Sequence, residues 1–316
     1  MEDAPFFDDL VNGWPAARAV WVHAEDGARL RLGLWRPDDA ARGTVLVFPG
    51  RTEYIEKYAH VAARLLDRGL AVLAVDWRGQ GLSERLLGEP LTGHVGRFSD
   101  YQRDVAAMLA VARAEALPAP VFLLAHSMGG CIGLRALMDG LDVAGAAFTG
   151  PMWGIRISAL MRPAAWAISW SGARLGLGHV VAPGTGPQSY IATAPFEGNT
   201  LTTDAGMWAT MQSHLHARPE LQLGGPSLHW LHEALAECRA LARRPAPDLP
   251  AIAWLGSRER IVDQARVHDR MRGWPLGRLE LLESAEHEVL MERAEIRDRI
   301  LRVTASFFLE QAGAPA

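Results

Sequence analysis

Residues 121–130 read Val-Phe-Leu-Leu-Ala-His-Ser-Met-Gly-Gly, an apolar run that leads into a serine flanked by small residues. A helix-like run from Cys131 to Met138 follows, so the pattern predicts a strand, a sharp turn and a helix. Ser127 stands in the turn, and the arrangement matches the nucleophile elbow G-x-S-x-G with Ala125 in place of the first glycine. Glycine and serine are also common in ordinary turns, so the motif needs support from elsewhere in the chain.

A serine hydroxyl is a poor nucleophile unless an imidazole accepts its proton and a carboxylate orients that imidazole. Downstream of Ser127 the chain has two further buried-strand patterns, at 251–255 and 279–282. His287 follows the second of these, and ligands of open α/β sheets bind where strands end. We therefore predict that His287 is the general base. His126, beside the serine, is expected to line the wall of the substrate pocket.

Two acidic residues follow the strand at 251–255 and are both candidates for the acid that orients the histidine. Glu259 stands three residues after Gly256, in the turn at the strand end. Asp263 stands four residues further on, where it could equally cap the helix that starts at Gln264. The spacing favours Glu259, whose alternative role is an ion pair with a neighbouring arginine. Asp263 is kept as the alternative acid.

Attack by a serine on a carbonyl carbon also needs backbone N–H groups that stabilise the negative oxygen of the tetrahedral intermediate. One predicted donor is the N–H of Met128, the residue after the serine. The second is the N–H of Arg51, in the loop after the strand at 45–48, where Gly50 would let the backbone pass close to the substrate. The Arg51 side chain could meet an anionic group of the substrate, and its alternative partner is Glu53.

Taken together, these motifs resemble the α/β-hydrolases of the monoglyceride-lipase and bacterial lysophospholipase group. The stretches that carry the resemblance are 48–54, 76–83, 93–101, 126–130, 256–263 and 286–288. The Pro-Gly-Arg-Thr-Glu loop is similar to that of the inner-membrane lysophospholipase branch in particular. In this group the acid usually falls at the position of Glu259 and is usually an aspartate, so the chain departs from the pattern there.

The hydrophobic pattern agrees with the α/β-hydrolase fold that the resemblance implies. Residues 19–23 and 28–35 alternate between apolar and polar as an antiparallel hairpin, and strand and helix patterns then alternate up to residue 149. Such alternation predicts an α/β fold with a mostly parallel sheet and helices on both of its faces. We expect eight strands in this sheet.

The strand–helix alternation is lost after Pro151, which predicts an inserted, mainly helical cap. We expect an α/β-hydrolase core of residues 1–151 and 245–316, and a cap of residues 152–244. Residues 152–217 hold only five charged side chains, with four tryptophans and four methionines: Trp153, Trp166, Trp170, Trp208, Met152, Met161, Met207 and Met211. This composition favours an acyl-chain channel above the serine, with Trp153 among the substrate-binding residues. The alternative is a helical lid that packs its apolar side onto the core.

Composition limits the class of protein and its location. A net charge of −4 with no basic block argues against nucleic-acid binding. Two cysteines make no disulfide framework, and no apolar run reaches the roughly 18 residues expected of a membrane span. The first residues lack the positive segment of a signal peptide. We therefore expect a cytoplasmic protein, with peripheral contact between its cap and the inner face of the membrane as a further expectation.

The residues and the resemblance together predict a serine carboxylester hydrolase that releases a fatty acid from a single-chain lipid ester. A lysophospholipid is the first expectation, with monoacylglycerols or general carboxylesters as the alternative substrates, and no metal or organic cofactor is required. An aminopeptidase-like serine hydrolase is a second alternative and would need an acidic cluster in the cap. A catalytically inactive binding protein of the same fold is the third, and loss of a catalytic residue would indicate it.

Overall fold

A single sheet runs through the molecule, which a computed structural model describes for residues 1–158 and 160–313. Ala159 of the expected cap and residues 314–316 of the expected core lie outside the described residues. Within the described ranges the sheet has nine strands: β1 (Glu2–Asp3), β2 (Arg18–His23), β3 (Arg29–Trp35), β4 (Thr44–Phe48), β5 (Ala71–Asp76), β6 (Val121–His126), β7 (Gly145–Thr149), β8 (Ala251–Gly256) and β9 (Gly277–Leu282).

The order of the strands across the sheet is β1-β2-β3-β5-β4-β6-β7-β8-β9. The pairs β1–β2, β2–β3 and β3–β5 are antiparallel, and all the remaining neighbouring pairs are parallel. The mostly parallel sheet is therefore as predicted, but the expected number of eight strands was wrong by one. The extra strand, β1, has two residues and pairs Glu2 with Trp21 at the sheet edge. It carries too few residues to show an alternating pattern.

Nine helices occur in the part of the chain that the structure describes, besides several short 3₁₀ turns. They are α1 (Ala59–Leu66), α2 (Tyr101–Ala114), α3 (Ser127–Met138), α4 (Arg162–Arg174), α5 (Tyr190–Thr193), α6 (Ala205–Ala217), α7 (Leu228–Leu241), α8 (Gln264–Arg272) and α9 (Ala294–Ala312). The expected helix from residue 55 begins with a 3₁₀ turn at Ile55–Tyr58 and becomes α-helical only at Ala59.

The two faces of the sheet are covered by different helices, as expected for this class of fold. Residues of α2, α3, α7 and α8 share one apolar cluster with one face of the central strands. Residues of α1, α6 and α9 share a second cluster with the other face. Strands β4, β5 and β8 are buried along their whole length, which explains why they appear as continuous apolar runs rather than alternating ones.

Four helices, α4 to α7, lie between the parallel neighbours β7 and β8, in the segment expected to form the cap. Helix α4 packs against α7, and α7 packs against α3 of the core. The described residues contain no helix that is both long and apolar enough to cross a membrane.

The carboxyl ends of the parallel strands bring the expected site residues to one edge of the sheet. The loop at 49–53 follows β4, Ser127 follows β6, and Glu259 follows β8. His287 lies in the loop after β9, the neighbour of β8. Residues that are far apart in the chain therefore meet at this edge.

A buried ion triad stabilises the antiparallel side of the sheet. The guanidinium of Arg31 on β3 donates to Glu56 Oε1 at 2.7 Å and to Asp76 Oδ2 at 2.7 Å, and all three side chains are fully buried. Asp76 also accepts the N–H groups of Ile55 and Leu82, so the carboxylate joins the end of β5 to two loops.

Replacing Arg31 with methionine should lower the free energy of unfolding by about 3–5 kcal/mol, because two buried carboxylates would then lack their cation. Chemical denaturation at neutral pH measures this change. The matched control is Arg272→Met, which removes an exposed pair with Asp269 and should cost less than about 1 kcal/mol. Equal effects of the two substitutions would contradict a stabilising role of the triad.

Candidate active site

The serine stands in a sharp turn between β6 and α3. Ser127 is the first residue of α3 and has a φ of 47°, a left-handed conformation that is uncommon for any residue other than glycine. A Cβ on Gly129 would overlap the carbonyl oxygens of Phe48 and Pro49, so this position of the motif requires glycine. Ala125 is fully buried and fits where the motif usually has its first glycine.

Three side chains predicted to act together form a row in which His287 is within hydrogen-bonding distance of both Ser127 and Glu259. The His287 Nε2 atom lies 2.9 Å from Ser127 Oγ, and its Nδ1 atom lies 2.6 Å from Glu259 Oε2. The serine oxygen, the imidazole and the carboxylate therefore form a continuous chain, with the ring held in one orientation. This is the geometry that proton transfer from the serine requires.

The carboxylate of Glu259 is held in its charged form by its surroundings. Burial alone would raise its pKa, but the charge of His287, the hydrogen bond to that ring and the N–H groups of Ile261 and Val262 lower the pKa below its usual value. A carboxylate stays charged over the neutral pH range, where it can orient the imidazole and stabilise the imidazolium.

Asp263, the alternative acid, lies elsewhere. Its carboxylate Oδ2 is 3.3 Å from Arg162 Nη2, and across residues 1–158 and 160–313 it makes no hydrogen bond to His287. Asp263 does stand at the N-cap position, directly before α8, as its predicted capping role required. The prediction was nevertheless wrong about the side chain, which accepts no hydrogen bond from the helix.

Two backbone N–H groups were predicted to face the substrate oxygen. Met128 is the second residue of α3, and the first four N–H groups of a helix have no partner within it. The N–H of Arg51 makes no backbone hydrogen bond within the described ranges. Gly50 lies against the serine, since a Cβ there would stand 3.2 Å from Ser127 Cβ. The loop is fixed by Gln80, whose amide donates to the Gly50 carbonyl at 2.8 Å.

An ion cluster of Glu53, Lys57, His126 and Glu288 lies buried beside the serine. The Lys57 ammonium donates to Glu53 Oε1 and, at 2.9 Å, to Glu288 Oε2. Glu53 also accepts the N–H of Gly50. Burial alone would raise the pKa of Glu288, but the charges of Lys57 and His126 lower it well below its usual value.

The same ion cluster contains the residues that could hold a metal ion. One ligand atom from each of Glu53, His126 and Glu288 lies within 4.8 Å of the others. The Lys57 ammonium already contacts both carboxylates, so a positive charge is supplied there by the chain itself.

His126 lines the cavity above Ser127, as expected for a residue of the pocket wall, and it also belongs to the ion cluster. Its Nδ1 atom lies 2.9 Å from the Thr149 carbonyl, and its Nε2 atom lies 3.3 Å from Glu288. Burial would lower the pKa of His126, but the carboxylates of Glu288 and Glu53 raise it above its usual value. The ring lies beside that of His287, with 5.0 Å between the ring centroids.

A cavity of about 690 Å³ opens above Ser127 and is lined mostly by apolar side chains. Its size lies within the range of small-molecule sites in proteins. Both the core loops and the segment between β7 and β8 contribute to the wall, including Met152, Ile155, Met161, Ile168, Leu228 and Ile261.

Trp153 was predicted to bind substrate, and the structure corrects this prediction. Its ring packs against Phe148 and Trp274, and its indole N–H donates to the Gly130 carbonyl at 3.1 Å. The side chain is buried beneath the cavity and does not line it. The other tryptophans of 152–217 do not line it either, whereas Met152, Met161 and Trp230 do.

The Arg51 side chain lies on the cavity wall. The alternative interpretation, in which it pairs with Glu53, is wrong. Its Nη2 atom donates to the Gly224 carbonyl, and its guanidinium lies 5.4 Å from the centroid of a Trp230 ring. Its Nε atom is buried and, in the part of the chain that the structure describes, has no hydrogen-bond partner. Burial lowers the pKa of Arg51 to about 10.

Sequence reasoning missed the ion cluster, although two signals pointed to it. Glu53 and Lys57 stand four residues apart, and Glu288 follows the predicted base directly. Neither signal shows that Lys57 and Glu288 meet, because 231 positions separate them in the chain.

The fold and the site together define a serine hydrolase of the α/β-hydrolase class. The chain belongs to the Hydrolase_4 family, described as serine aminopeptidase, S33, whose model matches residues 39–294. The resemblance expected from the sequence is thereby confirmed.

Among individual proteins, the chain is similar to lysophospholipase L2 of Escherichia coli strain K12. The two are 36% identical over 277 residues, which covers 84% of this chain and 79% of that protein. A probable lysophospholipase L2 of Haemophilus influenzae is 28% identical and covers 88% of each chain. A soluble variant of the Saccharomyces cerevisiae monoglyceride lipase, solved with a substrate analog, has a TM-score of 0.75 at 20% identity and covers 98% of this chain and 99% of its own.

The two acidic candidates can be separated by amide substitutions. Glu259→Gln should lower kcat by a factor on the order of 10³ to 10⁴, because an amide does not hold the imidazole in the required tautomer. Asp263→Asn should leave kcat within about a factor of three, since it changes a partly exposed carboxylate away from the ring. Steady-state kinetics on one ester, with circular dichroism to confirm folding, measures both. A larger loss in Asp263→Asn would reverse the assignment.

Proposed function

We propose that the protein is a serine carboxylester hydrolase that releases a fatty acid from a single-chain lipid ester. A lysophospholipid is the substrate we favour, and monoacylglycerols are the alternative. The main observation is the Ser127–His287–Glu259 chain of hydrogen bonds at the base of an apolar cavity. The similarity to lysophospholipase L2 over most of the chain supports the choice of substrate.

In this proposal Ser127 attacks the acyl carbonyl while His287 accepts the serine proton. The N–H groups of Met128 and Arg51 stabilise the negative oxygen of the intermediate. His287 then donates its proton to the leaving glycerol oxygen, and Glu259 stabilises the imidazolium throughout. A water molecule activated by His287 releases the fatty acid and restores the serine. Each step uses side chains and backbone of this chain together with one water molecule, so the proposed mechanism requires no metal or organic cofactor.

We propose that residues 152–244 act as the cap over a core of residues 1–151 and 245–316. The support is topological, because β7 and β8 are neighbours in the sheet although four helices separate them in the chain. The apolar residues that this segment adds to the cavity wall would enclose the acyl chain, while the reacting groups come from the core.

An aminopeptidase-like activity fits the cavity less well. Such an enzyme needs acidic groups to bind the substrate's ammonium, and Glu288 is the one acid on the cavity wall formed by the described residues. Glu288 is already paired with Lys57, and the wall also carries Arg51 and Arg156. Asp204, an acid of the expected cap, instead accepts the first N–H groups of α6.

An inactive binding protein of the same fold is also less well supported. Each member of the Ser127–His287–Glu259 chain is present and within hydrogen-bonding distance of the next. Loss of a reacting group is the usual signature of an inactive relative, and this chain has no such loss.

We further propose that the cap contacts a membrane surface through an exposed apolar patch. We use the name cap patch for the exposed large apolar side chains of this segment that do not line the cavity, Leu160, Trp170, Leu175, Leu177 and Val180, of which Leu160 and Leu175 are 87% and 75% exposed. From residue 152 to 196 the chain has three arginines and no acidic residue. Apolar side chains combined with positive charge favour binding to anionic lipid. In a cytoplasmic protein, that surface would be the inner face of the membrane.

Hydrolysis should depend on the length of the acyl chain. Each CH₂ buried in an apolar cavity contributes about 0.8 kcal/mol, or roughly a fourfold gain in kcat/KM, until the cavity is filled. A series of glycerol esters from butyryl to palmitoyl, with fatty acid release as the measurement, tests this dependence. Ser127→Ala is the control and should release no fatty acid from any of them. A preference for butyryl over palmitoyl esters would contradict the proposed substrate class.

Replacing Leu160, Trp170 and Leu175 together with serine should weaken vesicle binding at least tenfold, because these side chains would no longer enter the lipid interface. Co-sedimentation with phosphatidylglycerol vesicles measures the binding. The matched control is Leu276→Ser, which removes an exposed leucine just before β9, at the opposite end of the sheet. Unchanged binding of the triple variant would count against the cap patch as a membrane contact.

A further inference from the structure

We propose that the Arg51 side chain binds the phosphate of the substrate and thereby makes the enzyme prefer phosphate-bearing lipid esters over neutral ones. The inference rests on the proposed function and assigns its substrate specificity to one residue. The same residue would hold the substrate at two points. Its N–H would contact the reacting carbonyl, and its guanidinium would contact the phosphate.

The surroundings of Arg51 differ from those of the buried cations. Three lysine or arginine side chains among residues 1–158 and 160–313 are buried, and each lies against two carboxylates. Arg31 pairs with Glu56 and Asp76, Lys57 with Glu53 and Glu288, and Arg78 with Asp26 and Asp104. Arg51 has no carboxylate within 4 Å in the described part of the chain, although its Nε atom is buried. A desolvated cation without a counter-charge is costly, and an anionic ligand would remove that cost.

The hydrogen bonds of Arg51 leave donors for a ligand. A guanidinium has five N–H donors, and the structure gives Arg51 one acceptor, the Gly224 carbonyl. Arg85 also has no carboxylate within 4 Å among the described residues, but it donates to four carbonyls, those of residues 79, 81, 220 and 222. Arg85 is therefore satisfied within the chain, whereas Arg51 is not.

The chain leaves space for the Arg51 guanidinium at the cavity wall. A Cβ on Gly93 would stand 2.5 Å from its Nη2 atom, so the guanidinium packs closely against the backbone at this glycine. The Trp230 ring lies on another side, at 5.4 Å from the guanidinium carbon. The backbone at Gly93 and the Trp230 ring therefore hold the Arg51 guanidinium in place next to the cavity.

The charges on the cavity wall favour an anion. Arg51 and Arg156 line the cavity, and among the described residues the one carboxylate that lines it, Glu288, already contacts Lys57 and lies 3.3 Å from His126. A guanidinium binds phosphate oxygens through parallel N–H donors, which gives it geometric as well as electrostatic selectivity. The glycerol backbone between the ester and the phosphate of a lysophospholipid is about as long as the side chain between the N–H and the guanidinium of arginine.

Two matched substrates test the inference, 1-palmitoyl lysophosphatidylethanolamine and 1-palmitoylglycerol, both presented in the same neutral detergent micelles. For Arg51→Gln, we expect the ratio of kcat/KM for the lysophospholipid to kcat/KM for the neutral ester to fall about 10- to 100-fold. This is the factor expected for loss of a hydrogen-bonded charge pair. Arg51→Lys keeps the charge without the planar fork and should lie between the wild type and Arg51→Gln.

Arg85→Gln is the matched control, because it removes a partly buried arginine that does not line the cavity. It should leave the substrate ratio unchanged. Glycerol 3-phosphate supplies a second measurement, since it should inhibit the wild type competitively and inhibit Arg51→Gln at least tenfold more weakly.

The outcomes separate this inference from the proposed function. An equal loss on both substrates in Arg51→Gln, or the same change of ratio in Arg85→Gln, would overturn the role of Arg51 while leaving ester hydrolysis intact. A wild-type enzyme that hydrolyses 1-palmitoylglycerol but not the lysophospholipid would also overturn the role of Arg51, while leaving ester hydrolysis intact. A wild-type enzyme that hydrolyses neither would instead contradict the proposed function.

Discussion

The Lys57 ammonium binds two carboxylates that come from loops far apart in the chain, Glu53 and Glu288. Glu53 also accepts the N–H of Gly50, and Glu288 directly follows His287. One buried cation therefore fixes the loop that carries Arg51, one of the two proposed oxyanion donors, relative to the loop of the base. Without it, two carboxylates would face each other in a region of low dielectric, where their repulsion is strong. The relative positions of the groups around the serine depend on this interaction.

Features specified by local sequence could be predicted, and features specified by long-range contacts could not. The serine turn was predictable because an apolar strand and small residues leave few alternatives for the backbone at 125–130. His287 and Glu259 were predictable because each follows a strand, and strand ends converge in a parallel sheet. The strand β1 was not, since two residues show no periodicity. The ion cluster was not, because Glu53 and Lys57 resemble an ordinary pair four residues apart on a helix surface.

In the proposed cap, composition led to a wrong prediction for Trp153, and the reason is geometric. A tryptophan in an apolar segment can face a cavity or the core, and composition does not distinguish the two. Trp153 follows β7 so closely that its ring turns into the core beside Phe148. The Arg51–Glu53 pairing failed for a similar reason. Proximity in sequence suggested an ion pair, but the Glu53 carboxylate is already occupied by Lys57, Tyr58 and the loop backbone.

Helix α7 has a consequence for attempts to exchange lids between related enzymes. Although α7 falls within residues 152–244, its Trp230, Ala234 and Cys238 belong to the same apolar cluster as α3 and the central strands. A graft that replaced the whole of 152–244 would remove these side chains, leave a void beside α3 and expose the apolar surface of α3 to water. The natural crossover point for such chimeras lies before Ser227, whose hydroxyl caps α7 and also contacts His94 of the core. The exchangeable part of the proposed cap is therefore smaller than residues 152–244.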